Sequence, residues 1–127
     1  MARKKCKWVF YIRSSPAILY NFLTTPEGLS QWFADKVDIK GNTYYFWWDG
    51  SEETADLLAS LENEYVRFFM EDNEDEEYLE FRIEKEEISN DTTLHITQFL
   101  DEEDEEAEAL FWDSLVDKLT GSIGGKN

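Results

Sequence analysis

ALFWDSLVDKL, residues 109–119, is the stretch on which the fold turns. Wound as a helix, it places Phe111, Trp112, Leu115, Val116 and Leu119 within an arc of about 140°. So wide a stripe requires a partner surface. The long segments elsewhere in the chain read as strand, so the partner is a sheet. Working outward, DEEDEE (Asp101–Glu106) precedes the stretch. Carboxylates there complement the positive end of a helix dipole, and Asp101 is the expected cap. Lys118 and Gly121 suit the other end, and the helix is expected over Asp101–Gly121. Residues 1–4 and 122–127 are expected to fray, and the whole chain, 1–127, is expected to be one domain.

The strands follow from a period of two. Cys6, Trp8, Phe10 and Ile12 share one side of the first. Ser15-Pro16 and Thr25-Pro26 each supply a cap followed by a proline at the first helical position. The first short helix presents Ile18, Leu19, Phe22 and Leu23; the second presents Leu29, Trp32 and Phe33 at i, i+3 and i+4. Val37 and Ile39 form a short strand, and Thr43–Trp48 another, closed by the hairpin signal Asp49-Gly50. Ala55, Leu57, Ala59 and Leu61 alternate as a strand, although alanine and leucine also favour helix. Val66, Phe68 and Met70 share a face, as do Leu79, Phe81 and Ile83, and then Leu94 and Ile96. Asp72–Glu77 reads as a solvated acidic loop. The fold class is α+β, a curved antiparallel sheet of about six to seven strands round a C-terminal helix, with two short helices after strand one.

Composition narrows function by exclusion. Twelve basic against 29 acidic residues give a formal charge of −17, which repels phosphate backbones and anionic lipid. Nucleic acid and membrane insertion are therefore not expected. The single cysteine, Cys6, cannot form an internal disulfide and fits a reducing, cytoplasmic setting. One cysteine and one histidine cannot furnish a zinc shell, the acidic loop lacks the spacing of a calcium loop, and no cofactor fingerprint occurs. His95 shares the polar side of its strand with Thr93 and Thr97, where a solvated histidine is expected.

The order of elements, with LYNFLTTPEGLSQWFADKV (Leu19–Val37), YFWWDG (Tyr45–Gly50), ENEYVRFFMED (Glu62–Asp72) and ALFWDSLVDKL (Ala109–Leu119), resembles the helix-grip fold of the START-like (SRPBCC) superfamily. The specific likeness is to its small bacterial branch related to the activator of heat-shock-protein ATPase. The resemblance implies a cavity between sheet and last helix, entered near the short helices. It leaves function open, since the superfamily holds lipid carriers, receptors, cyclases and co-chaperones.

Three functions follow as expectations: a non-enzymatic domain binding a small apolar ligand, a co-chaperone-like domain docking on a protein partner, or a cyclase-type enzyme. The chain would act as a monomer or homodimer. For the first, the expected ligand-binding residues are Trp32 and Phe33 at the mouth, then Phe46, Trp48, Ala55 and Leu57. Phe68, Phe81, Phe111 and Leu115 complete the wall. Small Ala55 and Ala59 would leave room, while Trp8 and the large rings could fill it; a drug-sized guest needs about 300 Å³. The inward positions so assigned contain no Asp, Glu, Lys, Arg or His, and only Cys6 and Tyr44 carry any acid–base capacity, so no catalytic residue is assigned. On strand three, Tyr45 and Trp47 face outward as an apolar patch suited to a homodimer or to cover by a neighbour. Arg3, Lys4 and Lys5 either lie beside the acid block, if strand one pairs with the last strand, or form a tail.

Overall fold

Hydroxyl caps followed by prolines start both short helices. The computed structural model describes residues 3–124. After β1 (Arg3–Ile12), α1 (Pro16–Thr24) begins where Ser15 Oγ accepts the Ile18 amide at 3.2 Å. Next comes α2 (Pro26–Leu29), where Thr25 Oγ1 accepts the Gly28 amide at 2.9 Å. Gly28 is required by proximity: a Cβ there would lie 2.5 Å from the Asn21 carbonyl oxygen. The expected second helix is shorter than its apolar spacing suggests. Trp32 and Phe33 lie in the turn beyond it, which is held by the Phe33 amide donating to the Leu29 carbonyl at 2.8 Å.

Strands β2 (Lys36–Lys40), β3 (Thr43–Trp48), β4 (Ser51–Leu61), β5 (Tyr65–Met70), β6 (Leu79–Lys85) and β7 (Thr92–Asp101) complete the sheet. Its seven strands run in the order β1-β7-β6-β5-β4-β3-β2, every neighbouring pair antiparallel. Asp49 and Gly50, both at positive φ (53° and 85°), make the tight β3–β4 turn. A 3-10 turn (Glu102–Asp104) leads into α3 (Glu105–Gly124), and the fold is of helix-grip type.

The core joins the concave face to α3: Val66, Phe68, Phe81, Leu94 and Ile96 pack with Trp112, Leu115, Val116 and Leu119. Phe81 is the hub. Its ring centroid lies 5.5–6.3 Å from those of Trp32, Phe33, Phe68 and Trp112. Trp8 is only partly buried against this cluster, with its ring 6.4 Å from Trp112.

Several expectations are corrected. Phe111 is 47% exposed, because it lies about 90° round α3 from the centre of the stripe formed by the other four residues. Ile18 is exposed at the rim of α1, whose buried residues are Leu19 and Leu23. Asp101 belongs to β7 and makes no side-chain cap bond; the first turn of α3 carries Glu105, Glu106 and Glu108 instead. Gly121 does not end α3, which continues to Gly124, and Arg3 and Lys4 are paired in β1 rather than frayed; positions 1–2 and 125–127 lie outside the described residues. Ala59 does not face inward. A bulge between Leu57 and Ala59 shifts the register, so that Leu57 opposes Phe68 but Ala59 opposes Arg67 on the convex side.

The convex face carries its own order. Tyr65 stacks 4.4 Å from the Arg82 guanidinium, Glu80 binds Arg82 at 3.0 Å and Arg67 at 2.6 Å, and Arg67 stacks 4.2 Å from Tyr78. Glu80, read as simply outward, is 6% exposed. Burial pushes its carboxyl up, but the bonds and charges of Arg82 and Arg67 outweigh burial and hold it below the usual range. His95 is half-buried rather than solvated. β7 is flanked by β1 and β6, so Nδ1 is buried without a hydrogen-bond partner, while Nε2 lies 3.0 Å from Thr93 Oγ1. The outward rings of Tyr45 and Trp47 are covered by lysines of β2: Lys36 Nζ sits 4.8 Å from Trp47 and Lys40 Nζ 5.9 Å from Tyr45.

A candidate recess between the concave sheet and the last helix

A recess of about 220 Å³ opens between β3, β4, the β5–β6 loop, β7 and the N-terminal half of α3. Phe33, Trp48, Phe99, Phe111 and Trp112 supply its rings, and Met70 and Leu79 add apolar wall. Both indoles are pinned. Trp48 Nε1 donates to the Phe33 carbonyl at 2.6 Å, and Trp112 Nε1 donates to Gln98 Oε1 at 2.9 Å. Gln98 Nε2 in turn donates to Glu108 Oε2 at 2.9 Å. Phe33 stacks on Trp112 with ring centroids 6.0 Å apart and meets Trp48 edge-on at 5.3 Å. The two indoles cannot turn without breaking hydrogen bonds, so this wall of the recess is preformed.

The polar lining was not anticipated. Glu53, Asp72, Asn73, Gln98 and Glu108 all border the recess. Glu53 pairs with Phe46 across β3–β4 and therefore shares the concave face, which corrects the expectation of an inward surface free of carboxylates. Burial pushes the Glu53 carboxyl above the usual range, and the negative charges of Asp72 and Glu71 push it further. Asn73 Oδ1 accepts the Met70 amide at 2.8 Å and fixes the loop. That loop is not freely solvated: Arg3 Nε donates to Glu77 Oε2 at 3.0 Å, tying it to β1.

Cys6 and Tyr44, the acid–base candidates of the sequence, have pKa values raised chiefly by burial. The Tyr44 hydroxyl donates to the Thr24 carbonyl at 2.9 Å, so neither group is poised near neutrality.

Of the expected ligand-binding residues, Phe33, Trp48 and Phe111 line the recess. Trp32 and Leu115 border a second, open groove of about 300 Å³ between the turn at residues 30–35 and α3, again with Phe33, Trp48 and Phe111. Phe111 thus stands at the rim of both hollows. Phe46, Ala55, Leu57, Phe68 and Phe81 line neither, because their side chains interdigitate in the core. Parity could have found the missed residues. Two positions before Ala55 is Glu53, two after Ile96 is Gln98, and four before Trp112 on the helix is Glu108.

Among the described residues no helix is long and apolar enough to cross a membrane, and no cluster of three or more His, Cys, Asp or Glu could hold a metal ion.

A family model described as a START-like superfamily domain matches residues 1–125. No curated protein matches the chain. Among solved structures, BfR322 from Bacteroides fragilis is 30% identical, with a TM-score of 0.68 over 100% of this chain and 96% of that one. The Aha1 dimer from Colwellia psychrerythraea is 22% identical, with a TM-score of 0.79 over 98% of this chain and 99% of that one. CalU16 from Micromonospora echinospora is 17% identical, with a TM-score of 0.72 over 98% and 77%.

Proposed function

The chain belongs to the START-like superfamily, and from that premise we propose that it is a non-enzymatic binding domain for a small ligand carrying an apolar ring. The observation that carries this reading is the recess of about 220 Å³ walled by Phe33, Trp48, Phe111 and Trp112. Its size bounds the guest. A drug-sized molecule needs about 300 Å³ or more, so a long lipid is disfavoured and a one-ring molecule fits. The core behind it offers no extra room, since Phe46, Phe68 and Phe81 are fully buried against one another and their neighbours.

The test is a titration with one-ring alcohols, 2-phenylethanol first, following the indole N–H resonances of Trp48 and Trp112. Saturable shifts at both support the reading. If a panel of one-ring alcohols, amines and acids moves neither resonance, the reading fails.

Docking on a protein is favoured by a different observation. Leu110 and Phe111 are exposed side by side on α3, beside the open groove. A solved relative, Aha1 from Colwellia psychrerythraea, is a dimer. Self-association of this chain would appear as a concentration-dependent mass in light scattering, abolished by Leu110→Asp; a constant monomer mass would remove it.

A further inference from the structure

Charged side chains in a recess decide which guests enter it, and here every charged one has the same sign. Glu53, Asp72 and Glu108 line the recess, and no lysine, arginine or histidine is among the described residues that do. We infer that the ligand carries a cationic amine, held by the Glu53 carboxylate with its charge against the aromatic wall; this rests on the proposed ligand-binding reading of the same recess.

Three observations converge. First, the ring chemistry suits a cation. Trp48 lines the recess half-buried, in front of the buried Phe33 and Trp112, and an indole face is the strongest of the aromatic partners for a positive charge. Second, Glu53 is left open where comparable carboxylates are paired. Glu77 is bound by Arg3, and Glu80 by both Arg67 and Arg82. Glu108 is engaged by Gln98. The Glu53 carboxylate makes no side-chain hydrogen bond or ion pair among the described residues, although it is partly buried beside Asp72 and Glu71. Third, that arrangement costs stability. Burial and like charges disfavour the ionised Glu53 carboxylate, so its neighbourhood is the reverse of what packing alone selects. Groups that oppose folding are characteristic of sites shaped for a task. An ammonium entering the recess would relieve the repulsion and satisfy the open carboxylate.

The geometry also divides the guest. An ammonium reaches Glu53 from the side of the β5–β6 loop, and the ring attached to it lies among Phe33, Phe111 and Trp112. An anionic guest meets three carboxylates and is rejected; a neutral guest retains only the ring contacts.

The experiment uses matched probes on the intact chain: phenethylamine, 2-phenylethanol and 3-phenylpropionate, titrated at neutral pH and low salt. The amine is expected to bind about tenfold more tightly than the alcohol, the scale of one cation–π contact plus one partly buried ion pair. The acid is expected not to bind. Glu53→Gln should erase the preference for amine over alcohol, and Asp72→Asn should reduce it. Glu53→Gln is expected to fold, since the carboxylate it replaces has no partner to lose. If amine and alcohol bind equally, or if Glu53→Gln keeps the preference, the inference is overturned while the ligand-binding reading stands. If none of the three probes binds, both fall.

Discussion

Replacing Phe81 by alanine should be among the most damaging single changes to this domain, and replacing Phe111 among the mildest. Both residues are phenylalanines, and the sequence pattern assigned both to the core. Phe81 is 0% exposed and its ring meets four others at centroid distances of 5.5–6.3 Å. A buried Phe→Ala change costs about 3–5 kcal/mol. The top of that range applies, because each lost ring pair adds roughly 0.5–1.5 kcal/mol and the neighbours cannot collapse into the void. Phe111 is 47% exposed and loses only part of one side chain's burial, about 1 kcal/mol or less. Urea unfolding followed by tryptophan fluorescence measures both, since Trp112 contacts each ring. A similar slope on denaturant in parent and variants keeps the comparison clean. In thermal melts the Phe81 variant should fall by roughly 10–20 °C. Equal losses for the two variants would refute the placement of α3 on the sheet, and with it the recess.

The carboxylates should separate by sign of pH dependence. Glu77, lowered chiefly by its bond with Arg3, and Glu80, lowered by Arg82 and Arg67 against burial, contribute stability above the ordinary carboxylate range that is lost as acidification passes their depressed values. Glu53 is raised, so stability declines as pH climbs from the ordinary range through its folded value. Urea midpoints of Glu53→Gln and the parent should therefore coincide in acid and diverge toward neutrality, the variant being higher; a lower midpoint at neutral pH would contradict the unpartnered placement. Salt should distinguish Arg3 from Lys4 in β1. Lys4, whose Nζ lies 2.7 Å from Glu105 on the surface, should matter only at low ionic strength. Arg3, which holds the nearly buried Glu77, should matter at high salt as well; a Lys4→Ser variant equal to the parent in low salt, or an Arg3→Gln variant rescued by high salt, would sink the distinction.

The sequence made the architecture legible because the strands obey a period of two and α3 a period of 3.6 over long runs. Cys6 to Ile12, Val66 to Met70 and Leu79 to Ile83 leave little choice of face. The pairing of β1 with β7 brings Arg3 and Lys4 beside the acid block, the first of the two expected alternatives: Lys4 pairs with Glu105 at 2.7 Å and Arg3 lies 3.7 Å from Asp101, while the bidentate contact of Arg3 is with Glu77 in the loop. The recess was less legible for two physical reasons. Hydrophobicity marks the inward face of a strand poorly where an inward position is polar, which is why Glu53 and Gln98 escaped. And a count of apolar residues cannot say whether rings fill a cavity or wall it, since that depends on how they interleave. Trp48 differs from Phe46 and Phe68 only in that the packing stops at it.

The bulge in β4 bears on how this chain can change length. Leu58 is exposed and lies where the register breaks: Leu57 opposes Phe68, Ala59 opposes Arg67, Ser60 opposes Val66 and Leu61 opposes Tyr65. Leaving out Leu58 yields an uninterrupted ladder with each of those partners unchanged. Anywhere else within a paired strand, loss of one residue would turn every later side chain to the opposite face. β4 therefore contains a position where a codon can be lost without scrambling the two faces, at the expense of the local bend that the extra residue gives the sheet. Homologous chains differing by one residue in this strand would be expected to keep the same core and differ in curvature, and so in the width of the opening beside α3.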